Sequence, residues 1–221
     1  MLISNRGVIT LRLDLKLIRP QTCIGGSSSL FYFSTGVAKG GTFTEKATNL
    51  HFPDAIGEWK KTALIQFPDK KLGVEINYKN RGDAIASFVV YSGGISKIPT
   101  GAENPVVQGQ FAADVRGSMS YVQSRFKDVS KVLDSNPDVN YQGKRATLLA
   151  TAFQFSGDRK WLQWMLTTGY RNRFLKLIYT QPFNNMKTDI PEGQKQLRNL
   201  ILGFLDKNQD NTEAFWIPSN H

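Results

Sequence analysis

The spacing of apolar residues changes in a fixed order along this chain, and that order restricts the folds it can adopt. Apolar side chains follow strand-like spacing between residues 59 and 91, recur every three or four residues between 105 and 133, and return to strand-like spacing between 145 and 180. The first pattern is typical of strands and the second of helices. Because short turns separate the strand segments, they predict hairpins and a mainly antiparallel sheet.

Three strands are predicted before the first helix. Residues 59–67 end at a Pro-Asp turn, and residues 73–79 alternate cleanly, as a half-solvated strand does. Residues 84–91 are apolar on both faces, which predicts a strand inside the sheet.

One long helix is predicted over residues 105–133. Asn104 is a suitable N-cap and Pro105 a suitable first helical residue. Eight apolar residues recur at helical spacing: Val107, Phe111, Val115, Met119, Val122, Phe126, Val129 and Leu133. Residues 134–143, which contain Pro137, are predicted to form a loop.

The second half predicts three more strands, at residues 145–155, 160–168 and 174–180, and a final helix capped by Asp189 and opened by Pro191. The predicted fold class is therefore α+β, in the order βββαβββα. It has a mainly antiparallel sheet of about six strands, with a long central helix and a C-terminal helix packed on it. Residues 39–207 would form a single domain and residues 208–221 a C-terminal tail.

Residues 1–38 form a leader with the order of a secretory signal peptide. Lys16 and Arg19 precede an uncharged apolar stretch, which small residues at 36–38 follow. A translation start at Leu15 instead of Met1 would give this leader a short basic beginning. The signal peptide predicts an exported or periplasmic protein; the alternative is an unstructured N-terminus on a cytoplasmic protein. No transmembrane segment is predicted.

Few residues are suited to catalysis or metal binding. Cys23 is the single cysteine, and His51 and His221 are the two histidines, so a disulfide framework, a multi-thiolate zinc site or a histidine-based centre is disfavoured. His51 has no nucleophile motif beside it and is predicted to be structural. Residues 134–138 and 206–210 begin like calcium loops but lack the later ligands. We predict no catalytic residue, no metal ligand and no cofactor.

Basic residues outnumber acidic ones by 28 to 18, giving a formal net charge of +10, and this excess predicts an acidic partner. The candidate binding residues follow the turn at 168–169. Tyr170 would be an aromatic anchor, and Arg171, Arg173 and Lys176 would donate hydrogen bonds to a protein or other acidic partner. The sequence predicts no particular oligomeric state.

Basic residues are also dense between residues 143 and 187, and aromatic residues lie among them. The basic residues are Lys144, Arg145, Arg159, Lys160, Arg171, Arg173, Lys176 and Lys187, and the aromatic ones are Trp161, Trp164, Tyr170 and Phe174. This mixture is an alternative prediction of a single-stranded nucleic-acid-binding module. Nucleic acid is the less favoured partner, because tryptophans on strands usually fill a core.

A second alternative is a hydrolase that acts on glycans with carboxylates alone. Two carboxyl groups about 5 to 9.5 Å apart would serve as acid and base or nucleophile. The candidates are Asp54, Glu58, Asp69, Asp83, Asp114 and Asp158.

Several short sequence segments carry a resemblance to a known family. They are Phe52-Pro53, Gly57-Glu58-Trp59, residues 73–78, Val89-Val90-Tyr91 and residues 168–176. Between residues 42 and 207 the chain resembles uncharacterised bacterial exported proteins with a PsbP-like α/β domain. That superfamily includes the extrinsic oxygen-evolving-complex protein and Ran-binding nuclear-import factors. The resemblance implies an antiparallel sheet between helices, no known catalytic centre and a role in binding or assembly. The resemblance supplies no site residue.

Together these observations predict a non-enzymatic binding or accessory protein of the bacterial cell envelope.

Overall fold

The computed structural model describes residues 40–142 and 144–211, and the structural statements below refer to these residues. The predicted leader, residues 1–38, lies outside them, as does the predicted tail from residue 212 onward. The elements are β1 (Phe43–Glu45), β2 (Leu50–Phe52), β3 (Ala55–Ile56), β4 (Trp59–Gln66), β5 (Val74–Lys79), β6 (Ile85–Tyr91), α1 (Pro105–Arg125), β7 (Lys127–Ser135), β8 (Asp138–Tyr141), β9 (Lys144–Thr147), β10 (Leu149–Ser156), β11 (Lys160–Tyr170), β12 (Arg173–Pro182) and α2 (Met186–Asp206).

Eight strands form one sheet in the order β3-β4-β5-β6-β12-β11-β10-β7, and each neighbouring pair is antiparallel. Two further sheets, β1-β2 and β8-β9, have two strands each. The predicted fold class, with about six strands in the order βββαβββα, is therefore wrong. The described part of the chain is dominated by sheet, with twelve strands and two helices.

The predicted long helix is wrong beyond residue 125. The amide of Phe126 closes the last turn of α1 by donating to the carbonyl of Val122 at 2.8 Å. The chain then returns as β7, which pairs with β10 along one edge of the sheet. Two register shifts interrupt this pairing. One shift adds a residue to β7 between Lys131 and Leu133. Val129 and Leu133, four residues apart, therefore pack in different cores, and their helix-like spacing does not mark one face.

Three further predictions are corrected by the structure. The final helix begins at Met186 with Asn185 as its N-cap, so Asp189 does not cap it and Pro191 lies inside it. Residues 134–143, predicted as a loop, include the end of β7 and the strand β8, whose partner β9 begins at residue 144. The strand β5 is not half-solvated, because its polar residues Glu75 and Asn77 are buried along with Ile76.

Both faces of the large sheet are covered. Successive residues of a strand point to opposite faces: on β12, Leu175 and Leu177 belong to the same core as α2, and Phe174 belongs to a core with α1. On the first face, the ring of Phe204 in α2 stacks on Phe88 with centroids 4.7 Å apart. The two helices therefore lie on opposite sides of the sheet.

The antiparallel pairing determines which turns share an end of the sheet. The turn from β4 to β5, the segment after β6 and the turn from β11 to β12 all lie at one end. The turns from β5 to β6 and from β10 to β11 lie at the other end. The position of each charged turn residue follows from this topology.

Candidate functional site

The four predicted binding residues do not share a surface. The side chains of Tyr170 and Lys176 are buried with no exposed fraction, whereas Arg171 is exposed and Arg173 is half-buried. The hydroxyl of Tyr170 donates a hydrogen bond to the carbonyl of Asn211. Burial therefore removes Tyr170 and Lys176 from any surface that a partner could contact.

Lys176 belongs instead to a buried polar cluster between α1 and the sheet. Its ammonium group lies 2.9 Å from the carboxylate of Asp114, and both side chains are at most 3% exposed. The hydroxyl of Tyr91 donates to the same carboxylate oxygen, and Gln110 donates to the other oxygen at 2.8 Å. Burial, followed by the charge of Asp114, raises the pKa of Tyr91 well above its ordinary value. Because the cluster satisfies its own charges, its role is to hold α1 on the sheet.

Arg171 and Arg173 lie at the sheet end where several turns are joined. The guanidinium group of Arg171 donates to the carbonyl of Thr48 at 2.8 Å, in the turn from β1 to β2. The side chain of Asn172 accepts from the amide of Ile98 at 2.7 Å and donates to the carbonyl of Ser96 at 2.9 Å. The turn from β11 to β12 is thereby attached to two other exposed segments.

The turn from β4 to β5 extends the same surface. The carbonyl of Lys71 accepts hydrogen bonds from the amides of Ser92 and Gly93, at 3.1 and 2.9 Å. The cations carried by these joined turns form a surface that we call the basic end: Lys46, Lys70, Lys71, Lys97, Arg171 and Arg173. All of them are exposed except Arg173, which is half-buried.

Three carboxylates lie at this end of the sheet, and one of them, Glu103, is exposed in the segment after β6. Asp69 pairs with Lys71 at 3.1 Å, and the hydrogen bond from Lys71 lowers the pKa of Asp69. Glu45 accepts hydrogen bonds from Ala47 and Thr48 in its own turn. The remaining cations leave a positive excess on a surface made of rigidly joined turns. Such an arrangement attracts negatively charged partners.

The opposite end of the sheet carries charges of both signs. Asp83 pairs with Lys79 at 2.8 Å and with Arg159 at 3.7 Å, and the hydrogen bond from Lys79 lowers the pKa of Asp83. Asp158 lies in the neighbouring turn. Arg81 and Lys160 add two exposed cations at this end, so both ends of the sheet carry a positive excess.

The six candidate carboxylates do not share one site. Asp69 and Asp83 lie at opposite ends of β5, about 20 Å apart for a six-residue strand. Asp54 pairs with Lys61 at 2.9 Å, and this hydrogen bond lowers the pKa of Asp54, whereas a general acid needs a raised one. Asp114 is held in its buried cluster. In the residues that the structure describes, no group of three or more His, Cys, Asp or Glu side chains is placed to hold a metal ion.

The aromatic residues of the nucleic-acid alternative are in the interior. Trp161, Trp164, Tyr170 and Phe174 are at most 3% exposed, so they are not available to stack on bases. His51 lies in β2, where its ring nitrogen Nδ1 is 2.9 Å from the hydroxyl of Thr44.

Sequence reasoning missed Lys46, Lys70, Lys71 and Lys97 as members of the site. The signal that could have found them is the alternation of turns along hairpins. Successive turns of antiparallel strands fall at alternate ends of a sheet, which places the turns before β5 and before β12 at the same end.

Comparisons with known proteins give little further information. No protein-family model matches the chain, and no curated protein sequence matches it. Among solved structures, it is similar to a protein of unknown function, PA94, from Pseudomonas aeruginosa, with 13% sequence identity and a TM-score of 0.32 over 71% of this chain and 92% of that one. Nothing about this chain follows from a TM-score of this size, and the resemblance to the PsbP-like superfamily stays a prediction.

The predicted absence of a transmembrane helix is confirmed for the described residues, where neither helix is long and apolar enough to cross a bilayer.

Proposed function

We propose that this protein is a non-enzymatic binding or accessory protein of the bacterial cell envelope that recognises an acidic protein through its basic end. The observation that carries the proposal is the gathering of six cations on joined turns at one end of the sheet, where three carboxylates also lie. The candidate residues Arg171 and Arg173 remain in this site, whereas the buried Tyr170 and Lys176 do not.

The physical basis is charge attraction supported by a rigid scaffold. Lysine and arginine side chains on exposed turns donate charge-assisted hydrogen bonds to carboxylates. Such surface charges raise the rate of association and are screened by salt over about 8 Å at physiological ionic strength. Binding through the basic end should therefore weaken strongly as salt is added.

The envelope location is supported by the pattern of residues 1–38 alone. Mass spectrometry of the mature protein from its source cell tests it. Loss of the leader near residue 38 supports export, and an intact Met1 contradicts it.

A charge-reversal experiment tests the binding site. The variant Lys70→Glu/Lys71→Glu/Lys97→Glu changes three exposed side chains of the basic end. Fluorescence anisotropy at low salt would measure binding of a labelled poly-glutamate peptide. We expect the affinity to fall at least tenfold, which corresponds to about 1.4 kcal/mol.

The control variant is Lys60→Glu/Lys127→Glu/Lys187→Glu, which reverses three exposed lysines near the opposite end and changes the net charge equally. Its affinity should stay within about twofold to threefold of the unmodified protein, a change of less than 1 kcal/mol. Equal losses in both variants would show that net charge alone drives binding and would contradict the proposal. Tighter binding of single-stranded DNA than of poly-glutamate of equal charge would favour the nucleic-acid alternative.

A further inference from the structure

A polar pocket of about 230 Å³ lies between the start of α1 and the strands from the end of β7 to the start of β10. Glu103 and Gln108 line its helix side, and Asn136, Asp138 and Arg145 line its strand side. The five side chains end in two carboxylates, two amides and a guanidinium group. A cavity of about 150 Å³ is enough to take up benzene, so this pocket has room for a six-membered ring with substituents.

The strand side of the pocket needs no movement to form. Asp138 pairs with Thr147 in the register that β7 and β10 share, and the amide of Leu148 continues this pairing by donating to the carbonyl of Pro137 at 3.0 Å. Because side chains alternate along a strand, Asp138 and Thr147 lie on the same face as the buried Leu149. The pairing of β7 with β10 therefore fixes the face that the β8-β9 hairpin presents to the pocket.

Asp138 is held in one orientation on this face. Its Oδ1 atom accepts a hydrogen bond from the hydroxyl of Thr147 at 2.8 Å, and its Oδ2 atom lies 2.6 Å from Nη2 of Arg145. The hydrogen bond from Arg145, followed by that from Thr147, lowers the pKa of Asp138. A carboxylate accepts about four hydrogen bonds and a guanidinium group donates about five, so both side chains keep groups that can bond to a ligand.

The helix side adds acceptors and donors of the same kinds. Gln108 donates from its amide nitrogen to the backbone carbonyl of Glu103 at 3.3 Å, which leaves the amide oxygen as an acceptor. An anion in the pocket would face two carboxylates, and a cation would compete with Arg145 for Asp138. A neutral molecule that carries both donors and acceptors can bond to these groups while the Asp138–Arg145 pair stays intact.

We propose that this pocket binds a neutral sugar in its six-membered ring form. Each hydroxyl group of a sugar both donates and accepts hydrogen bonds, and neighbouring hydroxyls match the two polar atoms of a carboxylate, an amide or a guanidinium group. The buried residues Ala102 and Leu149 complete the lining and offer an apolar surface to the C–H groups of the ring. This inference goes beyond the proposed function and does not depend on it, because the pocket shares no residue with the basic end.

A titration of the full chain with glucose, galactose, mannose and N-acetylglucosamine tests the proposal. Amide NMR spectra should show saturable shifts of Gln108 and Thr147 with at least one of these sugars. Tetrahydropyran has the same ring without hydroxyl groups and should produce no such shifts. Absence of saturable shifts with all of the sugars up to about 0.1 M, or equal shifts with tetrahydropyran, would overturn the proposal.

A double variant tests the helix side of the pocket. Glu103→Ala/Gln108→Ala removes two exposed polar side chains, and sugar binding, followed at the amide of Thr147, should weaken by about tenfold or more. The matched control is Glu192→Ala/Gln194→Ala, which makes the same two changes at exposed positions of α2 and should leave the affinity unaltered. Equal affinity in the two variants would place the sugar elsewhere and contradict the assignment.

The variant Asn136→Ala tests the strand side and leaves the Asp138–Arg145 pair in place. It removes one exposed amide group, and the affinity for the sugar should fall by about threefold to tenfold. Unchanged affinity would mean that the sugar does not reach the strand side, and the pocket would then not be its site.

Discussion

Gly73 shows at the residue scale why the turn before β5 needs a particular amino acid. Its φ is +67°, in the left-handed region that glycine adopts without strain. A Cβ atom placed there would overlap the carbonyl oxygen of Val90, which belongs to the neighbouring strand β6. The close approach of this turn to β6 matters for the basic end, because the carbonyl of Lys71 in the same turn accepts hydrogen bonds from the amides of Ser92 and Gly93.

The variant Gly73→Ala should therefore lose at least about 3 kcal/mol of unfolding free energy. The positive φ accounts for roughly 1–2 kcal/mol and the backbone overlap for the remainder. Gly57→Ala is the matched control, since Gly57 has a φ of +57° with no atom within 4 Å of its added Cβ. That control should lose only the φ cost, roughly 1–2 kcal/mol. Urea unfolding of both variants measures the difference, and equal losses would disprove the overlap.

The residue scale also explains why the prediction that Tyr170 and Lys176 contact a partner is wrong. The sequence predicts a turn at 168–169, but β11 continues through Tyr170 and the turn lies at residues 171–172, before β12 begins at Arg173. Lys176 then faces α1, and its charge is compensated by Asp114, a residue 62 positions away in the chain. Local pattern carries no information about such a distant partner, so the sequence predicts a surface residue at Lys176.

At the scale of elements, α1 is attached to the sheet by a buried ion pair as well as by apolar contacts. Lys176 and Asp114 are both nearly unexposed, and the ring of Tyr91 lies 4.8 Å from the lysine nitrogen. Removal of one member of such a pair leaves a buried charge without compensation. The attachment of α1 should therefore depend on both residues together.

The variant Lys176→Met should lose about 3–5 kcal/mol of unfolding free energy. Lys79→Met is the matched control, because Lys79 also lies on a strand and pairs with Asp83, but both side chains are at least 30% exposed. An exposed pair contributes less than about 1 kcal/mol. Urea unfolding compares the two, and similar losses would show that the buried pair has no special role.

A double variant separates the pair from its surroundings. Lys176→Met/Asp114→Leu removes both charges and should lose less than the sum of the two single variants. It leaves the hydroxyl of Tyr91 without its acceptor, so a residual loss of about 1–3 kcal/mol should remain. Strictly additive losses would mean that Lys176 and Asp114 do not stabilise each other.

Element boundaries show how far the sequence determined this fold. The predicted strands at 59–67, 73–79 and 84–91 correspond closely to β4, β5 and β6, because strong alternation or a buried apolar run marked them. β7 resembles a helix in the sequence because Val129 and Leu133, four residues apart, pack in different cores. Very short strands such as β1 and β3, with three and two residues, have too few side chains to show any period.

At the scale of the whole molecule, some polar residues of the sheet are buried in the interior, and the sequence pattern could not show this. Alternating polar residues in β5 were interpreted as a solvated face, yet Glu75 and Asn77 are buried. Burial depends on what packs over a strand, and that is a property of the complete fold. The basic end has the same origin, because its cations come from four separate turns that topology brings together.

Buried tyrosines give the whole molecule a predictable response to alkaline pH. Burial is the first cause that raises the pKa of each of Tyr78, Tyr91, Tyr170 and Tyr179 above the ordinary value of 10.0. In the unfolded chain the same groups ionise near pH 10. A group whose pKa is raised by folding contributes stability that is complete below its unfolded pKa and is lost as the pH rises through the folded one.

The unfolding free energy should therefore decrease steadily above about pH 10. Absorbance at 295 nm follows tyrosine ionisation directly. Of the seven tyrosines in the chain, Tyr78, Tyr91 and Tyr179 should remain neutral in the native protein at pH 11, whereas all seven should ionise near pH 10 in concentrated urea. Chemical unfolding at pH 8 to 11 supplies the stability at each step. If all seven titrated near pH 10 in the folded state, the tyrosine hydroxyls would be solvated, and the packing of both helices on the sheet would be looser than the structure requires.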